Sequence, residues 1–213
     1  MDFSFFSQQI PKIKNLPLLG ADAHFKMAPE NRITELRAQN AGRKNVKKAG
    51  VMALFYPDKN DKTHLLLILR KTYKGVHSNQ VAFPGGKAES KDVDLKQTAL
   101  RETHEEVGVA PNAIQVIRSL STIYIPPSNF EVQPFIGLSN NPKPFVIQEE
   151  EVERLIEVSL SDFLDDSLVF EQSLNTSYGK NISVPAFKLN GYTVWGATAM
   201  MLSEIKELLR QVL

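Results

Sequence analysis

Three acids near the middle of the chain, with an arginine beside them, are spaced so that the acids could hold a metal ion. Arg101, Glu102, Glu105 and Glu106 belong to the stretch RETHEEVGV. On a helix, residues three and four apart share a face, so the three carboxylates would project together. Clustered carboxylates repel one another unless a cation lies among them, and all-oxygen ligand sets suit hard ions such as Mg²⁺ or Mn²⁺. The spacing therefore predicts a divalent-metal site, although solvated helix faces with ion pairs show the same spacing.

The residues on either side of this stretch favour the metal-site interpretation. Gly85 and Gly86 form a glycine-rich turn ahead of the helix, where a backbone without side chains lets a ligand approach closely. Arg101 stands four residues before Glu105 and can pair with it. Asp94 is a plausible N-cap, and Gly108 can end the helix in a left-handed conformation. These signals predict a helix from about Asp94 to Val107.

The whole stretch from residue 82 to residue 109 resembles the Nudix box, the signature of hydrolases that cut nucleoside diphosphates linked to another moiety. The pattern reads G, five residues, E, seven residues, then REUxEExGU, where U is a bulky aliphatic residue. In this chain Gly86 is followed after five residues by Asp92 and then, after eight, by RETHEEVGV. Asp92 thus stands where the family has glutamate, the second spacer is one residue longer, and Thr103 occupies the first U position.

The remaining sequence predicts strands with two substantial helices. The apolar runs Val51–Tyr56 and His64–Leu69 read as a hairpin, and Val184–Leu189 with Tyr192–Trp195 as another that turns at Asn190 and Gly191. Further strands are expected at 81–83, 114–117, 121–125 and 132–138, with Pro134 at an edge or bulge. Short helices are expected at 3–10, 32–40 and 161–165, and an amphipathic helix at the end of the chain. Residues 11–32 read as an irregular arm and 41–49 as a basic connector.

These elements indicate an α/β (α+β) fold in which a mixed β-sheet lies between helices. The resemblance implies the Nudix-type α/β/α sandwich. We expect residues 1–40 to form an N-terminal arm with short helices packed on the domain, and residues 41–213 to form the Nudix domain.

The amino-acid composition limits the classes of protein to which this chain could belong. The chain has 213 residues, 42% of them hydrophobic and 23% charged, which is typical of one globular domain. A formal net charge of +1 gives no bulk attraction for nucleic acid or for an anionic membrane. The chain contains no cysteine, which excludes disulfides and thiolate sites. The first 20 residues do not resemble a secretion signal, and no apolar run is long enough to span a bilayer, so we expect a cytoplasmic protein.

A second resemblance points to one branch of the family. The segment Leu65–Gly86 is similar to the additional signature of coenzyme A pyrophosphatases, with Asn79 where that branch usually has glycine. The stretch 121–137, the pair Glu151–Val152 and the stretch 194–202 also resemble this branch. The resemblance implies hydrolysis of coenzyme A or its derivatives to 3′,5′-ADP and 4′-phosphopantetheine.

The resemblance also implies roles for individual residues. Mg²⁺ or Mn²⁺ would be held by Glu102, Glu105 and Glu106. Glu89, Asp92 and Glu151 are possible accessory acids, and the general base is sought in Glu105 or in the acidic run 149–151. Substrate contacts are expected from the glycines and from nearby basic residues, namely Gly85, Gly86, Arg70, Lys71, Lys74 and His77; alternatively, the basic residues form an ordinary surface loop.

Two alternatives stay open at this point. One is a Nudix hydrolase with another diphosphate substrate, such as ADP-ribose or a dinucleoside polyphosphate. The other is a Nudix-shaped binding domain that no longer hydrolyses; the three helix acids argue against it. In each case the expected partner is a small molecule, and a homodimer is possible because Nudix enzymes often form one.

Overall fold

The computed structural model describes residues 1–38, 44–71, 80–142, 144–176 and 179–213. Within these ranges the helices are α1 (Phe3–Gln9), α2 (Ala21–His24), α3 (Glu30–Ala38), α4 (Leu95–Val107), α5 (Leu160–Leu164) and α6 (Gly196–Arg210). The strands are β1 (Lys47–Pro57), β2 (Thr63–Arg70), β3 (Val81–Ala82), β4 (Gly85–Lys87), β5 (Gln115–Ser119), β6 (Ile123–Ile125), β7 (Phe130–Leu138), β8 (Val152–Ser159), β9 (Val169–Thr176), β10 (Gly179–Leu189) and β11 (Tyr192–Val194). None of the described helices is long and apolar enough to cross a membrane.

The main sheet is mixed and is built around β1. Strand β1 pairs antiparallel with β2 and parallel with β7, and β8 pairs with the far side of β2. The short strands β3 and β4 pair with β2 and β1 respectively, so the glycine-rich segment fills the space where β1 and β2 diverge. A separate antiparallel sheet has the order β11-β10-β9.

Both faces of the main sheet are covered, which explains why its central strands are apolar on both sides. On one face, Met52 and Leu54 of β1 pack with Ala99 and Val107 of α4. On the other face, Ala53 and the neighbouring apolar residues pack with the N-terminal segment and with α6. The result is the α/β/α sandwich with a mixed sheet that the sequence predicted.

The first 38 residues are largely helical, so the predicted irregular arm at 11–32 is wrong in its local structure. Helix α1 continues at Ile10–Asn15 as a 3₁₀ helix that accommodates Pro11, because proline is tolerated in a first helical turn. Phe6 and Ile13 are fully buried in the core. His24, at the end of α2, is buried against Glu204 of α6, with 3.2 Å between Nε2 and Oε2.

Strand β7 is an interior strand, so of the two positions expected for Pro134, an edge or a bulge, the edge is wrong, whereas the β5 pairing is irregular close to it. One side of β7 pairs with β1, and the other pairs with β5 and then with β6. Pro134 lies where the second pairing passes from β5 to β6, and its carbonyl oxygen accepts from the Leu120 amide at 2.9 Å. A residue without an amide hydrogen fits an interior strand at such an interruption.

Candidate functional site

Helix α4 presents the acidic residues, and both of its ends are fixed. At the start, the Asp94 side chain accepts a hydrogen bond from the Gln97 amide at 2.7 Å. At the end, Gly108 adopts a left-handed conformation with φ of 78°, and its amide bonds to the His104 carbonyl oxygen. A Cβ atom at Gly50 of β1 would overlap the Leu95 carbonyl oxygen, so only glycine lets α4 lie this close to the sheet. These contacts confirm the predicted helix and both of its caps.

Glu106 is the most buried acid of the site, with a side chain only 2% exposed. One carboxylate oxygen accepts from the Gly85 amide at 2.7 Å, and the other lies 3.2 Å from the Arg70 guanidinium. Burial is the main cause of a rise in the pKa of Glu106 to about 7, and the charges of Glu102 and Glu151 act in the same direction. The Gly85 amide and Arg70 oppose the rise. Glu106 therefore links the end of β2, the glycine turn and α4.

Glu102 lies directly against the glycine turn. A Cβ atom at Gly86 would overlap the Glu102 carboxylate, so the missing side chain is what leaves room for this acid. Burial raises the pKa of Glu102, as do the charges of Glu105 and Glu151, whereas Arg101 lowers it. The turn and the helix thus approach each other through a glycine and a carboxylate.

Arg101 organises the acids through its guanidinium group. Its Nε and Nη2 atoms each donate to Asp92 at 2.9 Å, and Nη1 donates to Glu102 at 2.9 Å and to Glu105 at 2.8 Å. The Asp92 side chain is only 3% exposed and also accepts from the Glu89 amide and the Thr98 hydroxyl. The Arg101 contact, as the largest cause, holds the pKa of Asp92 well below its usual range. Both oxygens of Asp92 are therefore occupied within the protein.

The other acids considered from the sequence lie at the rim. Glu105 has a side chain 48% exposed and, besides Arg101, has Lys91 at 3.9 Å. Glu89 is exposed, 3.1 Å from Lys91 and 3.8 Å from Arg101. Glu151 is exposed and raises the pKa values of Glu102 and Glu106 through its charge, which places it in their electrostatic neighbourhood.

Of the predicted basic residues, Arg70 lies at the acids, and Lys71 is its neighbour in the chain. Arg70 ends β2 and pairs with Glu106, whereas the Lys71 ammonium group contacts Glu153 at 3.2 Å. His77 and Lys74 fall outside the described residues. The described part of the site therefore combines three helix acids, two guanidinium groups and a glycine turn.

Comparison with known proteins assigns the family. The family model described as "NUDIX domain" matches residues 46–173. A Yersinia enterocolitica protein named "Uncharacterized Nudix hydrolase NudL" is 36% identical over 143 residues, which cover 67% of this chain and 72% of the relative. The chain belongs to the Nudix hydrolase family.

Solved structures share the fold of this Nudix hydrolase. The structure "Crystal Structure of a C. elegans Ap4A Hydrolase Binary Complex" superposes with a TM-score of 0.53 at 17% identity, and the match covers 78% of this chain and 99% of that one. The NUDIX domain of Shewanella oneidensis NrtR, solved with ADP ribose, gives 0.50 at 16% identity and covers 83% and 97%.

The Nudix site has the donor chemistry for a hard divalent ion, although no three His, Asp or Glu side chains in the described ranges converge into a ready metal group. The ion pairs explain this arrangement, because Glu102 and Glu105 pair with Arg101, whereas Glu106 pairs with Arg70. The pKa values of Glu102 and Glu106 are raised, which means that the nearby arginines do not fully offset the cost of burying the two anionic carboxylates. An all-oxygen set of partly desolvated carboxylates fits Mg²⁺ or Mn²⁺.

Sequence reasoning missed two residues of this Nudix site. Gly50 sets the distance between α4 and the sheet, and a lone glycine in an apolar strand was the available signal. Gln148 contacts the end of α4 through its amide, which donates to the Glu106 carbonyl oxygen at 3.1 Å. No local pattern in the sequence singles out Gln148.

Proposed function

We propose that this Nudix hydrolase cleaves the diphosphate of coenzyme A or a coenzyme A derivative, with Mg²⁺ or Mn²⁺, to give 3′,5′-ADP and 4′-phosphopantetheine or its acyl form. The observation that carries the hydrolytic part is the meeting of Glu102 and Glu106 with the Gly85–Gly86 turn. The similarity of the segment 65–86 to the coenzyme A signature supports the substrate.

In this proposal, Glu102, Glu105 and Glu106 would hold the ion, which would supply positive charge for the diphosphate and would lower the pKa of a water bound to it. Gly85 and Gly86 serve the substrate indirectly, because the Gly85 amide is bonded to Glu106 and the space beside Gly86 is filled by Glu102. Arg101 orients Glu102 and Glu105, and its bidentate contact with Asp92 fixes the guanidinium group. Asp92 then supports the site through Arg101.

Arg70 is the best-placed described residue for a substrate phosphate. Its side chain is 23% exposed and lies 3.2 Å from Glu106, so part of its charge is accessible beside the acids. Lys71 and His77 follow it along the chain and are proposed to contact the 3′-phosphate that distinguishes coenzyme A. A guanidinium group suits phosphate because it offers several fixed donors.

Glu151 is the general-base candidate that the geometry favours over Glu105. Glu105 is held by Arg101 on the solvent side of the helix. Glu151 is exposed, and the Lys71 amide holds its backbone next to the start of β8. Its charge acts on both Glu102 and Glu106, where an attacking water would be needed.

A product assay tests this function. Purified protein is incubated with coenzyme A, dephospho-coenzyme A or ADP-ribose and with Mg²⁺ or Mn²⁺, and the nucleotides are separated by chromatography. We expect 3′,5′-ADP from coenzyme A, slower cleavage of the dephospho form, and no product with a chelator. Glu102→Gln should abolish cleavage, whereas Glu171→Gln, at an exposed acid on the separate β11-β10-β9 sheet, should not.

Other outcomes distinguish the alternatives. Equal rates on coenzyme A and its dephospho form would remove the role given to Arg70, Lys71 and His77. Cleavage of ADP-ribose alone would replace the substrate and keep the chemistry. Absence of cleavage with all three would contradict the proposed function. The cytoplasmic location and the homodimer stay predictions.

A further inference from the structure

The C-terminal end of α4 is completed by a distant part of the chain. The last carbonyl groups of a helix lack partners within it. Here the Val107 carbonyl oxygen accepts from the Val146 amide, and the Glu106 carbonyl oxygen accepts from the Gln148 amide, both at 3.1 Å. A Cβ atom at Gly108 would lie 3.0 Å from Val146, so this glycine also permits the close approach. The segment 146–148 is therefore docked on the metal-binding helix.

The segment continues into a turn that we call the 148–151 turn, and the Gln148 side chain closes it. The Gln148 Oε1 atom accepts from the Glu150 amide at 2.8 Å and from the Glu151 amide at 2.9 Å. The Gln148 carbonyl oxygen accepts from the Glu151 amide at 3.1 Å and from the Val152 amide at 2.9 Å. The amides of residues 150–152 are thereby held in one arrangement, whereas without these acceptors they would bond to water in varied conformations.

The far end of the turn is attached to β2. The Lys71 amide donates to the Glu151 carbonyl oxygen at 2.8 Å. Next to it, Val152 is the sheet partner of Arg70, whose guanidinium group lies 3.2 Å from Glu106. The backbone of Glu151 is thus fixed between α4 and β2 although its carboxylate is exposed.

We propose that Gln148 is a positioning residue of this hydrolase: its backbone amide docks the 148–151 turn on the end of α4, its side chain holds the turn closed, and together they fix the backbone that carries the Glu151 carboxylate. The proposal rests on the proposed function, because Glu151 acts there on the attacking water. Gln148 does not need to touch the substrate. Its effect on the reaction should therefore pass through Glu151.

A double-mutant cycle measured by steady-state kinetics tests whether Gln148 acts through Glu151. Gln148→Met keeps the length of the side chain and removes the acceptor. Gln148→Asn keeps an acceptor on a shorter side chain. A side chain of that length can close a turn, since Asp58 accepts from the Asn60 and Lys62 amides. With whichever diphosphate the wild type cleaves, we expect Gln148→Met to lower kcat about tenfold with KM nearly unchanged, and Gln148→Asn to recover most of the loss. The double variant Gln148→Met/Glu151→Gln should be no slower than Glu151→Gln alone.

Several results would overturn the proposal. These are an unchanged kcat in Gln148→Met, an unchanged kcat in Glu151→Gln, or losses that multiply in the double variant. A rise in KM without a fall in kcat would also contradict it, since it would indicate substrate contact. Gln148→Leu replaces Gln148→Met if thermal unfolding shows that the latter is not folded.

Amide hydrogen exchange gives a readout that needs no substrate. Exchange at residues 146–152 should be faster in Gln148→Met than in the wild type and should return towards wild type in Gln148→Asn. Equal exchange in all three proteins would refute the positioning. If the wild type cleaves no diphosphate, the proposed function fails, and this exchange experiment still decides whether Gln148 fixes the turn.

Discussion

Replacing Glu106 by glutamine should change how stability depends on pH. In the native chain the pKa of Glu106 is raised from the ordinary 4.5 to about 7, chiefly by burial. The native state therefore binds more protons than the unfolded state between these values, so wild-type stability falls as pH rises through about 7. A shift of this size corresponds to about 3 kcal/mol. Glutamine stays neutral, so this loss should be absent from Glu106→Gln.

The assay is urea unfolding of both proteins, with a chelator present, at about pH 5 and about pH 8.5. The free energy of unfolding of Glu106→Gln, relative to wild type, should rise by about 2–3 kcal/mol between the two conditions. The ion pair with Arg70 forms only when Glu106 is ionised, and its effect is already included in the pKa of about 7, so it needs no separate correction. Glu105→Gln makes the same chemical change at a side chain that is 48% exposed and should show a change below about 0.5 kcal/mol.

Parallel pH dependence of wild type and Glu106→Gln would refute the assignment of a buried, destabilised carboxylate at this position. A companion measurement links the result to function. Mg²⁺ or Mn²⁺ at a hundredfold excess over its Kd should stabilise the wild type at about pH 8.5 by about 2.7 kcal/mol and the variant by less. Hydrolysis by the variant should fall by roughly two orders of magnitude, so a gain in stability would accompany a loss of activity.

Three further substitutions test the supports of the site. Asp92→Asn should lower the free energy of unfolding by about 2 kcal/mol, since the Arg101 guanidinium loses an anionic partner, and should slow hydrolysis in the product assay. Gly50→Ala should cost about 2 kcal/mol or more in urea unfolding and reduce activity, because α4 must move away from the Leu95 contact. Glu204→Gln should lower the thermal midpoint by several degrees, since a fully buried carboxylate bonded to distant segments is lost, with kcat nearly unchanged once folded.

The features that sequence predicted well are those whose causes are local. Helix α4 begins after Asp94 and ends at Gly108 because capping depends on residues within one turn of the helix end. The first hairpin follows from two apolar runs around a turn sequence. The predicted helix at 161–165 lies one residue earlier, at Leu160–Leu164, because the Ser159 side chain caps it.

The features that sequence missed depend on pairing between distant segments. Strand β9 was not predicted, since Val169–Thr176 is a polar edge strand that β10 defines. Strand β4 was hidden in the glycine turn, where glycines usually indicate a loop. The partner change at Pro134 is invisible locally because it depends on where β5 ends and β6 begins.

The same contrast between local causes and contacts of distant segments applies to the residues of the site. The arginine and glutamates of α4 were found from their spacing, and Arg70 from a family resemblance. The bidentate contact of Asp92 was not foreseen, because it spans a loop rather than one helical turn. Asp92 was expected to be an accessory acid of the metal site, whereas the structure places both of its oxygens on Arg101.

The acids explain why α4 is fixed so firmly. A buried Glu106 lowers stability at neutral pH, and Glu102 shares the same desolvation. A helix with such residues would move its carboxylates into water unless other contacts opposed this movement. The apolar contacts of Ala99 and Val107, the close approach at Gly50, and the carbonyl groups bonded by the segment 146–148 all hold the helix against the sheet. Weakening any one of them should therefore expose the acids before it unfolds the domain.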